Sequence, residues 1–151
     1  MRNPYKNYKV LNKKQIKEFH QELKKQFNFE GKLDYNLFQK NDKIYIVSKA
    51  LNKIQLEKLN LNSLGLYIAK KELYGIRLSI EGSQLIGPKS KKNILEVNDP
   101  EPWLRGENIG SEKEFRQFVM IKHKKDFMGS GPYKNKQILN HVPKSRRINA
   151  S

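Results

Sequence analysis

Lysine and glycine are the residues whose spacing in this sequence could do chemistry. Between Phe118 and Arg147, Lys122, Lys124, Lys125, Lys134 and Lys136 flank the segment Phe127-Met128-Gly129-Ser130-Gly131. The chain then closes on Pro143-Lys144-Ser145-Arg146-Arg147. Cations at this density neutralise phosphates. Glycines in an extended run mark a bulge or the close approach of another backbone, and a ligand is one such approach. The chemistry is that of holding a phosphate chain. The same lysines have a second possible use, which is to keep an edge strand soluble.

Acid–base, nucleophilic and metal chemistry find no comparable set. His20, His123 and His141 lie far apart, without the short spacings of a metal site. No phosphate-binding loop, dinucleotide fingerprint or nucleophile elbow is present. Asp34 and Asp42 read as turn residues, and Glu81 and Glu96 stand alone. With no cysteine, disulfides, zinc-thiolate sites and thiol catalysis are excluded. The expectation is a chain without catalytic residues, metal or cofactor.

Charge is distributed as a binding surface would have it. The net charge is +16, from 31 Lys and Arg against 15 Asp and Glu, which attracts nucleic acid or an anionic membrane. Residues 1–25 hold eight basic and two acidic residues, and residues 120–151 hold eight basic residues and Asp126 alone. Residues 89–119 hold six of each sign. No apolar run approaches the roughly 20 residues of a membrane span, and MRNPYKNYKV lacks the apolar centre of a secretion signal. No membrane partner and a cytoplasmic location are therefore expected. At 36% hydrophobic residues, the 151-residue chain can build one or two modest cores.

Several elements must position these residues. Residues 1–11 read as a basic, irregular arm with Tyr5 and Tyr8. Asn12 can cap a helix carrying Ile16, Phe19, Leu23 and Phe27 as one stripe, with Gly31 ending the segment. Leu33, Tyr35 and Leu37 alternate as a strand, Asn41-Asp42 turns, and Lys43–Ser48 is a second strand. Ala50–Leu59 reads as a helix and Asn60–Ser63 as a loop. Strands follow at Leu64–Ala69 and Ile76–Ile80 around Lys70-Lys71-Glu72, with Ile80–Ile86 open to a helical reading. Gly87-Pro88 is the best domain boundary. Beyond it come a strand at Asn93–Val97, a turn at Asp99–Pro102, one helical turn and a glycine-containing loop over Trp103–Ile109, and a polar loop at Gly110–Phe115. Phe118–His123 then alternates as a strand with one buried face, and Lys124-Lys125-Asp126 turns it back into the glycine strand.

A strand, a short helix ending in Trp103-Leu104-Arg105-Gly106, and a hairpin carrying Gly129 and Gly131 together resemble a PUA domain, a compact RNA-binding β-barrel. The resemblance covers residues 89 to about 148. In the first half, Asp42–Ser48, Ser63-Leu64-Gly65 and Ile76–Ser79 resemble the α/β domain that precedes PUA in ribosome-assembly proteins of the Nip-seven type. The same pair of modules resembles the RNA-binding C-terminal region of Sun/Nop-type RNA cytosine methyltransferases. Those enzymes use a cysteine nucleophile and a separate cofactor domain, for which this chain has neither residue nor room.

The resemblance implies an α+β fold, with a pre-PUA-like α/β domain over 1–87 and a PUA-like β-barrel with a basic tail over 88–151. It implies a non-catalytic RNA binder acting in ribosomal RNA processing, modification or ribosome assembly. Its partners would be rRNA or tRNA, with an RNA methyltransferase or an assembly factor beside them. Carried over by position, the RNA contacts are Arg105, Gly106, Asn108, Phe127, Gly129, Ser130 and Gly131. The neighbouring cations are Lys89, Lys91, Lys92, Lys122, Lys124, Lys125, Lys134, Lys136, Lys144, Arg146 and Arg147. Phe127 serves either the core or base stacking, and the tail is either an RNA clamp or a loose end. The alternative function is a protein-interaction adaptor whose charge is only solubilising.

Overall fold

Hydrophobic spacing gives the first half its helix. The computed structural model describes residues 8–50 and 65–149. Helix α1 (Lys13–Phe27) places Phe19, Leu23 and Phe27 on one buried face. Each such side chain stabilises the fold by roughly 1.5–3 kcal/mol. Asn12 caps the helix as expected, within a capping box: its side chain accepts from the Gln15 amide, and the Gln15 side chain accepts from the Asn12 amide, both at 2.9 Å. The helix ends at Asn28, whose left-handed backbone (φ 53°) halts the run before Gly31 can. The basic side chains of the helix lie on its exposed back.

Strands β1 (Lys9–Val10), β2 (Asn36–Lys40), β3 (Lys43–Val47), β4 (Leu66–Glu72) and β5 (Gly75–Leu78) form one antiparallel sheet in that order. Three expectations shift. Part of the expected irregular arm is a strand, with Lys9 and Val10 opposite Gln39 and Phe38. The strand expected around Leu33 begins at Asn36, because Leu33 turns inward and its amide donates to His20 Nε2. The connection expected at Lys70-Lys71-Glu72 lies at Leu73-Tyr74, since pairing carries Lys70, Lys71 and Glu72 through to Gly75. The helix and loop expected over 51–63, with Leu64, lie outside the described residues.

Helix α2 (Ile80–Ile86) takes the helical reading of its segment, capped by Ser79, and runs into a 3-10 turn at Gly87–Lys89. Beyond it lie β6 (Ile94–Glu96), α3 (Glu101–Leu104), β7 (Ile109–Gly110), β8 (Phe118–His123), β9 (Asp126–Lys134), β10 (Gln137–Ile138) and a 3-10 turn at Lys144–Arg146. The second sheet has the order β6-β8-β9-β10-β7, with β6 parallel to β8 and the other pairs antiparallel. The fold is α+β. Among the described residues, no helix is long and apolar enough to cross a membrane.

Strand β8 separates two cores. Met120 joins Phe19, Leu23, Phe27, Ile44 and Ile68 on one side. Val119 and Ile121 join Trp103, Met128 and Ile138 on the other. The strand expected to bury one face therefore buries both: elements cover it on either side, as for any strand inside a layered fold. Trp103 is core, and its indole N–H donates to the Met128 carbonyl at 2.6 Å.

Candidate nucleic-acid interface

The Gly129-Ser130-Gly131 segment is committed inside the protein. The Ser130 hydroxyl accepts from the Leu78 amide at 2.8 Å and donates to the Leu78 carbonyl at 3.0 Å. Gly129 (φ 93°) donates its amide to Ser83 Oγ at 2.7 Å. A methyl group on Gly131 would collide with the Leu139 carbonyl oxygen, so the close backbone that this glycine admits is the chain's own. Phe127 is 4% exposed in the first core and its ring covers Gly87. Of its two readings, the core is the one that the structure takes.

The glycine-containing loop after α3 is also internally occupied. Arg105 pairs with Glu101 at 3.3 Å and Glu107 at 3.1 Å. Arg147 lies across Gly106 and donates to the Val142 carbonyl at 3.0 Å. Asn108 accepts from the Asn140 amide at 2.8 Å. The tail is anchored rather than loose, because the Ile148 amide donates to the Leu104 carbonyl and Arg146 pairs with Glu81.

The expected lysines fall in separate places. Lys122, Lys124 and Lys125 sit at or beside the β8–β9 turn, with Lys122 Nζ 5.4 Å from the Phe127 ring centroid. Lys134 ends β9 and Lys136 lies in the turn that follows it. The nine residues of that strand span roughly 26 Å at about 3.3 Å per step. Lys89 and Lys144 are exposed in the two 3-10 turns. One ligand strand would have to run the length of the second sheet to meet them all.

Lys91 and Lys92 enter a different arrangement. The amides of both donate to the Phe27 carbonyl, which ties their segment to the end of α1. There they line an open groove of about 1010 Å³ together with Lys25, Lys71, Lys113 and Arg116. Glu22, Glu72 and Glu114 line it too, so cations outnumber carboxylates two to one. At its rim the β4–β5 turn presents Leu73 and Tyr74, 86% and 77% exposed. A run of cations beside a free aromatic face matches what single-stranded nucleic acid needs: phosphates neutralised and a base stacked.

Gln26 explains why the groove has a firm floor. Its buried amide donates to the Ile76 carbonyl and accepts from the Ile76 amide, both at 2.7 Å. The carbonyl of Gln26 accepts from Asn93 Nδ2 at 2.6 Å. Helix α1, the β5 edge and the segment before β6 are thereby tied together beneath the lysines.

Lys71, Tyr74, Lys113 and Arg116 escaped the sequence reading. The available signal was Leu73-Tyr74 before Gly75, an apolar pair at a hairpin tip, which placing the turn at Lys70–Glu72 concealed. Lys113 and Arg116 sit in a stretch balanced in charge, so no cluster marked them.

Among the described residues, no group of three or more His, Asp or Glu comes together as a metal site. His20 bonds the Ile16 carbonyl and Leu33 amide, His123 bonds the Val97 carbonyl, and His141 bonds Arg77.

No protein-family model matches the chain, and no curated protein matches it.

Proposed function

We propose that the chain is a non-catalytic RNA-binding protein of the pre-PUA plus PUA type, acting in the cytoplasm on ribosomal or transfer RNA during processing, modification or ribosome assembly. The observation that supports it best is the groove in which Lys25, Lys71, Lys91, Lys92, Lys113 and Arg116 gather beside Tyr74. These cations come from α1, β4 and two loops of the second half. The PUA resemblance of residues 89 to about 148 supplies the ribonucleic class of partner; the groove supplies a place for it. An RNA methyltransferase or assembly factor would then work beside the chain.

The test is binding of fluorescent single-stranded and structured ribosomal RNA fragments to wild type and to Lys91→Ala/Lys92→Ala. Weaker binding by the double variant with unchanged stability supports the reading. Equal binding by both proteins removes the groove from it.

The second reading is a protein-docking adaptor. Leu73 favours it, since Leu73 and Tyr74 together expose adjoining apolar surface at the rim of the groove. Its mark is partner binding that Leu73→Ser abolishes and that salt leaves unchanged.

A further inference from the structure

The geometry points to a second site: the cavity where β5 and the start of α2 meet β9 and residues 141–146 binds one nucleoside monophosphate unit, held by its phosphate. Its source is either a free nucleotide or one nucleotide of a bound RNA, and only the latter rests on the RNA reading above.

Size sets the first limit. The cavity holds about 310 Å³, the lower end of the roughly 300–1,000 Å³ of small-molecule clefts. It admits one nucleotide-sized group and excludes a duplex.

Three cations line it, Lys43, Arg77 and Arg146, against Glu81 as the one carboxylate among the described lining residues. Arg77 is the best placed. Its side chain is only 19% exposed, and its Nη1 bonds His141 Nδ1. Its Nε is buried without a hydrogen-bond partner among the described residues. Glu72 Oε1 stands 3.4 Å from it, compensating charge outside hydrogen-bond geometry. A guanidinium offers five N–H donors in a planar fork that matches phosphate oxygens. Here Nη1 is taken by His141 and Nε is enclosed beside Glu72, so what Arg77 offers an anion in the cavity is the positive charge of a fixed guanidinium.

Arg146 is held by Glu81, an exchangeable partner that a phosphate dianion would displace. Lys43 Nζ lies 5.3 Å from the centre of the Tyr67 ring, and no ion pair holds it among the described residues. The remaining wall suits a base and ribose: Tyr67, Leu78, Ile80, Val142 and Pro143 give an aromatic face and aliphatic surface. Burial pushes the Tyr67 phenol up, so it stays protonated and can donate at neutral pH.

The experiment is an amide-resolved NMR titration of the full chain with each of the four nucleoside 5′-monophosphates, with inorganic phosphate, and with a short single-stranded RNA. Saturable shifts at Gly129, Ser130 and His141 with nucleotides, larger than those with phosphate, are expected. Arg77→Gln risks misfolding, so Lys43→Ala, Arg146→Ala and Glu81→Gln carry the test. The first two should each weaken nucleotide binding about tenfold, the size of one lost charge-assisted contact. Glu81→Gln should tighten it, because it frees Arg146. No saturable shift, equal shifts from inorganic phosphate, or weaker binding by Glu81→Gln would each overturn the assignment. Cavity shifts with RNA as well as nucleotides identify the source as RNA, and shifts with free nucleotides alone identify a metabolite. Lys91→Ala/Lys92→Ala leaves the mononucleotide titration unchanged. RNA affinity absent alongside an intact mononucleotide titration would overturn the groove and keep the cavity.

Discussion

Ser130 and Leu78, 52 positions apart, satisfy each other as two paired strands would: the serine hydroxyl accepts from the leucine amide and donates to the leucine carbonyl. Two residues earlier on the same strand, Gln26 does the same for Ile76. The outer edge of β5 is thus closed by two side chains, one from α1 and one from β9. An open edge would invite pairing with another chain; this one is sealed within the molecule.

Ser130→Ala should therefore destabilise the fold without touching RNA affinity. It leaves a buried N–H and C=O unpaired, at a cost of about 1–3 kcal/mol. Urea unfolding with an unchanged m-value checks it. Lost RNA affinity at wild-type stability would instead make Ser130 a ligand contact.

Gly131→Ala should cost more than a surface glycine substitution. Its methyl meets the Leu139 carbonyl, and backbone displacement of that kind costs about 1–3 kcal/mol. Gly110, with open space around it, provides the control. Thermal unfolding of both variants should separate them clearly.

His141 gives the stability a pH dependence of known sign. Burial, reinforced by Arg77, holds its pKa below the ordinary 6.5, with Glu72 opposing and Lys70 adding slightly. The folded state thus prefers the neutral ring, while the unfolded chain takes up the proton below 6.5. Stability is full above 6.5, falls as pH drops below it, and levels off beneath the folded value. His141→Asn should flatten that part of a stability–pH profile; an unchanged profile contradicts the assignment.

Tyr74→Ala should weaken binding of single-stranded RNA by about 1–3 kcal/mol, the worth of one stacked base. Because Tyr74 is exposed at a turn, the melting temperature should not move. Leu73→Ala, one residue away, should leave RNA affinity as it was.

Local rules made much of the fold legible. The stripe of Phe19, Leu23 and Phe27, the Asn12 cap, the β3 run and the Lys124 turn each rest on near neighbours in sequence, and each is where its residues indicate. Elements set by distant partners were not legible. Gly131 signalled close approach correctly, but the approaching group, the Leu139 carbonyl, is distant from it in local pattern; Gly129 answers instead to its positive φ of 93°. Lys91 and Lys92 were recognisable cations; their gathering with Lys71 and Arg116 depends on Gln26 and Asn93 joining α1 to the edges of both sheets. Arg77 and His141, 64 positions apart, meet with no local signal at all.

The most direct test of RNA binding through the groove is affinity for a single-stranded RNA across a salt series, for wild type, Lys91→Ala/Lys92→Ala/Lys113→Ala/Arg116→Ala and Lys122→Ala/Lys124→Ala/Lys125→Ala. With roughly five phosphates neutralised, wild-type log affinity should fall against log salt with a slope of about −3 to −4. The groove variant should lose most of that slope and the turn variant little of it. A wild type with no salt-dependent affinity, or a groove variant that keeps the full slope, would contradict it.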